Sequence, residues 1–140
     1  MKILFICTGN YYRSRFAEIY FNYLAPELKI ESKAYSKGLS PCAFTNPISN
    51  TVLKFLETLD IEASPYRMPA KLLNEDFRTN DLFIALDEAE HRPMVEKLFP
   101  YYADQIEYWN VADKPELSPT IALPKIAKSV EDLLYKLSTR

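Results

Sequence analysis

The chain has 140 residues, 48% of them hydrophobic and 26% charged, and its formal net charge at pH 7 is −2. This length and composition predict a single folded domain over residues 1–140, and they exclude a largely disordered chain. With two cysteines, one histidine and no excess of basic residues, the sequence lacks the pattern of a disulfide scaffold, a zinc site or a nucleic-acid-binding protein.

The first predicted element is a buried strand over residues 3–6, which ends at Cys7. A continuous apolar run of this kind is typical of a strand that is covered on both faces in a parallel sheet. Ligands of open α/β sheets bind at the carboxyl ends of the strands, where Cys7 stands. The sequence therefore predicts a thiol at the ligand-binding edge of a sheet.

The loop after Cys7 has the residues of an anion-binding turn. Gly9 and Asn10 tolerate left-handed backbone angles, which lets successive N–H groups turn inward. A helical pattern begins at Ser14, so the loop leads into a helix N-terminus, whose free N–H groups and dipole favour an anion. Arg13 adds a guanidinium that can hold two oxygens of a tetrahedral oxyanion. Such surroundings promote ionisation of a thiol, to which Ser14 can donate a hydrogen bond.

A purely structural interpretation of these residues is the alternative. A cysteine at a strand end is usually a small buried hydrophobe, and Arg13 could be a solvated residue in the first turn of a helix. That interpretation leaves the Gly-Asn turn and the following serine unexplained. The functional interpretation accounts for every part of the pattern, so we take it as the hypothesis.

The rest of the chain alternates predicted strands and helices. The first helix is expected to end near Pro26. Further strands are predicted over residues 30–36, 82–86 and 106–111. A second helix is predicted after a cap at Asn46-Pro47, and a short helix near residues 72–77. A further helix is predicted from Asp87, which forms a capping-box-like pair with Glu90, to residue 99. The last predicted helix carries a buried stripe over residues 126–137. This alternation predicts an α/β fold, a three-layer doubly wound domain with a four-stranded parallel sheet in the strand order 2-1-3-4.

The segments that follow the strands place Ser36, Lys37, Asp87 and Asp113 near Cys7. Transfer of a phosphoryl group to a thiolate needs an acid for the leaving oxygen and later a base for water, and one carboxyl group can do both. Asp113 is the better candidate, because its segment shows no helical pattern whereas Asp87 is explained as a helix cap. From spacing alone, a solvated turn aspartate explains Asp113 equally well.

The sequence CTGNYYRS at residues 7–14 resembles the Cys-x5-Arg-Ser phosphate loop of the low-molecular-weight protein tyrosine phosphatases, to which the thioredoxin-coupled arsenate reductases are related. The resemblance extends over nearly the whole chain, through AYSKG at 34–38, NEDF at 74–77, DLFIALDEAE at 81–90 and the aspartate at 113. It implies a phosphomonoester hydrolase that acts on protein-tyrosine or aryl phosphates through a phosphocysteine intermediate, without metal or organic cofactor.

The resemblance also implies a role for each matched residue. Cys7 would be the nucleophile, and Asp113 would be the general acid and then the general base. Arg13 and the loop amides would hold the phosphoryl oxygens; the loop residues are Thr8, Gly9, Asn10, Tyr11, Tyr12 and Ser14. Ser14 would also stabilise the thiolate, and Asn10 would shape the loop through hydrogen bonds that reach Ser14 and Ser36.

Several residues depart from the family pattern. Tyr12 stands where the family usually has a second loop cysteine, so protection of the nucleophile by a disulfide at that place is lost. Arg15 replaces the proline that commonly follows the serine, and we expect it to make the mouth of the site more basic. Lys114 separates Asp113 from the next proline, so the family pattern does not fix the pose of the acid in this chain.

The tyrosines that usually follow the acid and clamp an aromatic substrate are missing as well. Phe44, Tyr11 and Tyr12 could rebuild an aromatic wall, or they could be ordinary packing residues.

Location and partners follow from the N-terminal region. Its apolar run is too short for a signal peptide or a membrane span, which predicts a cytoplasmic protein, and a reducing cytoplasm would keep Cys7 as a thiol. Residues 1–20 carry Lys2, Arg13 and Arg15 against Glu18 alone, a balance that suits an anionic substrate. We therefore expect a phosphorylated protein or a small phosphomonoester as the partner, and neither nucleic acid nor membrane. The sequence gives no indication of the oligomeric state.

Two other functions remain open at this point. The sequence CTGN and the segment over residues 109–113, which is like that of the reductases, favour an arsenate reductase. The related reductases use two further cysteines downstream, but no cysteine follows Cys42 here, so the enzyme would need an external thiol. A phosphate-binding or phosphotyrosine-binding module with weak catalysis is the other alternative, and it would follow from a misplaced Asp113.

Overall fold

The computed structural model of the protein describes residues 1–42, 46–62 and 66–139. The strands within these ranges are β1 (Lys2–Cys7), β2 (Lys33–Gly38), β3 (Leu82–Ala85) and β4 (Glu107–Tyr108). The helices are α1 (Arg13–Glu27), α2 (Asn50–Thr58), α3 (Asp76–Thr79), α4 (Glu88–Leu98) and α5 (Pro119–Ser138), with a 3-10 helix over Pro100–Gln105.

The four strands form one parallel sheet in the order β2-β1-β3-β4, which confirms the predicted topology. The register pairs Cys7 with Gly38 and Ile6 with Ala85, so the carboxyl ends of β2, β1 and β3 lie side by side. The segments that leave these strands therefore meet at one edge of the sheet, and the functional residues come from those segments.

Strand β1 is buried on both faces because helices cover the sheet on each side. Its alternate residues enter two different cores: Ile3 and Phe5 pack with residues of α1, α2 and α5, whereas Leu4 and Ile6 pack with residues of β3, α4 and the 3-10 helix. Successive side chains of a strand point to opposite faces, so only an unbroken apolar run can serve two cores. This explains the apolar pattern that predicted the strand.

The long helix α5 carries the buried stripe that the sequence predicted. Ile126 and Val130 are fully buried, and α5 packs against α1 on one face of the sheet. None of the helices in the described ranges has the length and apolar character that crossing a membrane requires.

Several predicted boundaries are wrong by a few residues. Strand β2 begins at Lys33, because the N–H of Ile30 still donates to the carbonyl of Ala25 in the turn that closes α1. The predicted strand over residues 106–111 is reduced to the two residues of β4. The helix predicted near residues 72–77 is replaced by the single turn of α3, which begins at Asp76 and ends at Thr79.

Of the two predicted helix caps, the one at Asn46 is wrong, and the one at Asp87 is right in position but lacks the side-chain bond. Helix α2 starts at Asn50, and its cap is Ser49, whose Oγ accepts a hydrogen bond from the N–H of Thr51 at 3.2 Å. At the start of α4, the side chain of Asp87 makes no capping hydrogen bond. The N–H of Asp87 instead donates to Nδ1 of His91 at 3.0 Å, a bond that leaves Glu90 available for the site described next.

Candidate active site

The loop between β1 and α1 is flanked by Cys7, the last residue of β1, and by Arg13, the first residue of α1. Asn10 adopts a left-handed backbone with φ of 53°, and Gly9 does not, so only one of the two predicted residues makes the turn. The loop also lies close to the end of β2. A Cβ atom on Gly38 would come within 2.8 Å of the carbonyl oxygen of Thr8, so this glycine is required for the close approach of the two segments.

The thiol of Cys7 is buried and has two polar neighbours, one in the loop and one in the first turn of α1. Its Sγ lies 2.8 Å from Oγ of Ser14 and accepts a hydrogen bond from the N–H of Asn10 at 3.3 Å. Helix α1 begins beside it, at Arg13. Hydroxyl and amide donors at a helix N-terminus stabilise a negatively charged sulfur, so this environment suits a nucleophilic thiolate.

Asn10 is the centre of the hydrogen-bond network that shapes the loop. It is fully buried, and its Nδ2 donates to Oγ of Ser14 and Oγ of Ser36, both at 2.9 Å. Its Oδ1 accepts from Arg67 at 2.9 Å and from the N–H of Ala70 at 3.0 Å. All the hydrogen-bonding positions of the amide are thus engaged, which fixes the turn that presents Ser14 to Cys7.

Arg67 is a member of this network that the sequence analysis did not find. Its NH2 donates to the carbonyl of Ser36 at 2.7 Å and to Oγ of Ser36 at 2.9 Å, and it contacts Glu18 at 3.1 Å. The Oγ of Ser36 in turn donates to Glu18. Arg67 stands in an irregular segment with no motif around it, so the sequence offered no signal for its role.

The guanidinium of Arg13 is held from two sides. NH1 donates to the carbonyl of Val111 and NH2 to Oε2 of Glu90, both at 2.8 Å, and NH2 lies 3.6 Å from Oδ2 of Asp113. Burial by itself lowers the pKa of Arg13, but the bond to Glu90 and the nearby charges of Cys7 and Asp113 raise it above its ordinary value. A guanidinium has five N–H groups, and two are used by these anchors, which leaves donors for an oxyanion.

Glu90 is the second residue that the sequence analysis missed. Its Oε2 accepts from Arg13 and from Oγ1 of Thr8, and Nε2 of the fully buried His91 lies 3.2 Å away, in an alignment that falls short of a hydrogen bond. His91, Arg13 and Thr8 together hold the pKa of Glu90 well below its ordinary value, although burial opposes them. The carboxylate is therefore ionised at neutral pH.

A cavity of about 230 Å³ opens in front of Cys7. The lining residues are Cys7, Gly9, Tyr11, Tyr12, Arg13, Ser49, Asp113 and Lys114. The carboxyl group of Asp113 is about half exposed, at 46%, and its Oδ1 accepts the N–H of Lys114 at 2.8 Å. Asp87 is not among the lining residues, so the structure brings Asp113, and not Asp87, to the thiol.

The mouth of the cavity is basic because of Lys114, not Arg15. The expectation for Arg15 is wrong: its side chain is buried, with the guanidinium donating to the carbonyls of Pro47 and Arg67, both at 2.9 Å. Lys114 has its Nζ 5.4 Å above the ring of Tyr12 and lines the cavity. Arg15 therefore fastens neighbouring segments to α1, while Lys114 supplies the cation that a substrate meets.

Two of the three residues proposed for an aromatic wall, Tyr11 and Tyr12, line the cavity. Burial and the charge of Asp113 raise the pKa of Tyr12 to about 12, so its hydroxyl stays protonated at neutral pH. Phe44 lies outside the described residues. The backbone carbonyl of Tyr11 accepts the N–H of Ser49 at 3.0 Å, which ties the loop to the start of α2.

Comparison with known proteins places these observations in a family. The model of the family described as low molecular weight phosphotyrosine protein phosphatase matches residues 2–138. A search of curated proteins gave no match. Among solved structures, the low molecular weight protein tyrosine phosphatase from T. tengcongensis is 29% identical, with a TM-score of 0.77 over 98% of this chain and 97% of that chain.

Two further solved structures share the fold at lower identity. YfkJ from Bacillus subtilis is 22% identical, with a TM-score of 0.87 over 99% of this chain and 95% of that chain. The arginine phosphatase YwlE from Geobacillus stearothermophilus is 22% identical, with a TM-score of 0.79 over 99% of this chain and 93% of that chain. The family resemblance seen in residues 7–14 is thereby confirmed over nearly the whole sequence. The chain belongs to the low molecular weight phosphotyrosine protein phosphatase family, and it is a cysteine-based phosphatase that acts on a phosphorylated substrate.

Proposed function

We propose that the protein hydrolyses aryl phosphomonoesters, with phosphotyrosine as the principal substrate class, through a phosphocysteine intermediate. The observation that carries this proposal is that one cavity is lined by the buried side chain of Cys7 and by Arg13, Asp113 and two tyrosines. A nucleophile, an oxyanion-binding group, a proton donor and aromatic walls are the four elements that hydrolysis of an aryl phosphate needs.

In the first step, the thiolate of Cys7 attacks phosphorus. The S–P bond forms while the bond from phosphorus to the aryl oxygen breaks, and Asp113, which enters this step in its protonated form, gives its proton to the departing oxygen. Arg13 and the loop N–H groups hold the remaining phosphoryl oxygens, where negative charge is spread in the transition state.

In the second step, Asp113 takes a proton from water, the water oxygen attacks phosphorus, and the S–P bond breaks. Inorganic phosphate and the thiolate are released, so the enzyme returns to its starting state. A structural relative supports the covalent step: a variant of the arginine phosphatase YwlE in which cysteine was changed to serine carries a phosphorylated active-site serine. We extend that behaviour to Cys7.

The lining of the cavity favours phosphotyrosine over phosphoarginine as the substrate. Tyr11 and Tyr12 can pack against an aromatic ring. Lys114 stands at the same wall, and it would repel the cationic guanidinium of phosphoarginine. A tyrosyl oxygen is also a better leaving group than a serine oxygen, because phenol ionises with a pKa of about 10.

A substrate panel tests this proposal. We expect kcat/KM for a phosphotyrosine peptide to exceed that for matched phosphoserine and phosphoarginine peptides by at least about tenfold. Initial rates of phosphate release measure all three, with p-nitrophenyl phosphate as the small ester. Arsenate with glutathione or thioredoxin as the reductant belongs to the same panel. Faster cleavage of phosphoarginine, thiol-dependent arsenate reduction as the main activity, or phosphate binding without any turnover would each overturn the assignment.

The proposal includes a location and a kind of partner. Cys7 must remain a thiol to act, so we place the protein in a reducing compartment, in the first instance the cytoplasm. Its partners would be phosphorylated proteins or small phosphomonoesters, and neither nucleic acid nor membrane is part of the proposed activity.

Changing Asp113 to Asn tests the assignment of the acid. We expect the change to lower kcat by about 10²-fold on phenyl phosphate, which needs protonation of its leaving oxygen, and much less on p-nitrophenyl phosphate. Steady-state rates on the two esters measure the difference. The matched control is Asp87→Asn, which should leave both rates close to wild type; if that change were the damaging one, the acid assignment would be wrong.

A further inference from the structure

Glu90 lies closer to the guanidinium of Arg13 than Asp113 does. The distance from NH2 of Arg13 is 2.8 Å to Oε2 of Glu90 and 3.6 Å to Oδ2 of Asp113. The side chain of Arg13 is 3% exposed and that of Glu90 is 29% exposed, so the pair is largely shielded from water. A charge-assisted hydrogen bond in such surroundings is stronger than one at a surface.

Two anchors define the orientation of the guanidinium. The carbonyl of Val111 holds NH1 from the segment after β4, and Glu90 holds NH2 from α4, each at 2.8 Å. A planar group fixed at two of its nitrogens cannot rotate without breaking one of these bonds. The N–H groups that remain keep a constant direction, which is what two-pronged binding of a phosphoryl group requires.

Glu90 also holds the opposite side of the loop. The hydroxyl of Thr8, the residue directly after the nucleophile, donates to the same Oε2 that accepts from Arg13. One carboxylate oxygen of α4 therefore fastens the residue after Cys7 and the arginine at the end of the loop. Because both bonds converge on one oxygen, an amide oxygen at that place could accept both.

The charge of Glu90 does not make it a second proton donor. The contacts to His91, Arg13 and Thr8 all favour the ionised carboxylate. Nδ1 of His91 accepts a backbone N–H, so the ring carries its own N–H on Nε2, the atom that faces Glu90. A carboxylate that accepts from Arg13 and Thr8 and has His91 beside it stays charged, and a charged carboxylate has no proton to give.

We propose that Glu90 is a positioning residue of the phosphate site, which sets the orientation of Arg13 and of Thr8 through Oε2 and takes no part in proton transfer. This inference rests on the proposed role of Arg13 in holding the phosphoryl group. It assigns to α4, an element that supplies no lining residue to the cavity among those described, the orientation of the oxyanion-binding arginine.

The test separates the position of the carboxylate from its charge. Glu90→Asp keeps the charge but withdraws the oxygen by one methylene group, whereas Glu90→Gln removes the charge but keeps an acceptor oxygen at the right distance. We expect Glu90→Asp to weaken the binding of inorganic phosphate and to lower kcat/KM for p-nitrophenyl phosphate by about tenfold or more, since small misplacements at a reacting site have effects of that order. Glu90→Gln weakens the two hydrogen bonds but keeps them in place, so its loss should be several-fold smaller than that of Glu90→Asp.

Titration calorimetry with inorganic phosphate, steady-state kinetics and the thermal midpoint are measured for both variants. The matched controls are Glu88→Asp and Glu88→Gln, because Glu88 lies on the same helix with its side chain 53% exposed and should tolerate both changes. Equal phosphate affinity in the two Glu90 variants, or greater loss in Glu90→Gln, overturns the proposal. Phosphate binding is measured without turnover, so this test is independent of the substrate panel. Even if the wild-type protein did not hydrolyse aryl phosphates, the phosphate affinities of the two Glu90 variants would still test the role of Glu90.

Discussion

A Cys7→Ser variant is expected to lose hydrolysis of p-nitrophenyl phosphate by roughly 10⁴-fold or more, the scale at which removal of a covalent nucleophile acts in enzymes. The serine hydroxyl does not ionise near neutral pH, so the donors that stabilise a thiolate at Cys7, the Oγ of Ser14 and the N–H of Asn10, have no anion to stabilise. The phosphate site itself is built by other groups. Binding of inorganic phosphate should therefore persist within a few-fold of wild type.

Kinetics, titration calorimetry and intact-mass measurement check this result. A gain of one phosphoryl group on the serine variant after long incubation with substrate would identify position 7 as the acceptor. Cys42→Ser is the matched control, because Cys42 is exposed and does not line the cavity. Retained hydrolysis in Cys7→Ser would contradict the mechanism at its first step.

The parts of the site that the sequence could predict are those that one local segment determines. Strand β1, the turn at Asn10 and the start of α1 at Arg13 follow each other within the phosphate loop, and each has a local cause: an apolar run, a residue that accepts positive φ, and a helical pattern. Parallel pairing then places the loop at the carboxyl edge of the sheet without any further information. That residues 1–140 form one domain stays a prediction.

Glu90 shows why other parts could not be predicted. The spacing of Asp87 and Glu90 fits a capping box, a local pattern that by itself explains both residues without any role in the site. In the structure, the N–H of Asp87 is satisfied by His91, and Glu90 contacts Thr8 and Arg13, which stand far away in the sequence. Only tertiary structure decides between a local and a distant partner.

The expectation that Arg15 lies at the mouth of the site is wrong for a different reason. It stands two positions after Arg13, and two residues of an α-helix are separated by about 200° around the axis. Arg13 faces the cavity, so Arg15 must face away from it, toward the carbonyls of Pro47 and Arg67. Proximity to a motif in sequence is therefore a poor guide to exposure once the chain has become helical.

The Arg13→Lys variant is expected to lower kcat/KM for aryl phosphates by about 10³-fold, in the range found when a preorganised donor to a developing anion is removed. Lysine keeps the positive charge but has one nitrogen, which cannot reach the carbonyl of Val111, Oε2 of Glu90 and two phosphoryl oxygens together. The ammonium would settle on Glu90, whose carboxylate is ionised. The phosphoryl group would then lose the two hydrogen bonds that the guanidinium donates to its oxygens.

Steady-state kinetics and phosphate calorimetry measure the effect of this change. Arg78→Lys, at an exposed arginine of α3, is the matched control and should behave as wild type. Activity in Arg13→Lys within tenfold of wild type would mean that charge alone, and not the geometry of the fork, holds the phosphoryl group. In that case Glu90 would have nothing to orient, so the two experiments on Arg13 and Glu90 must agree: loss in Arg13→Lys and loss in Glu90→Asp are two consequences of the same geometric requirement.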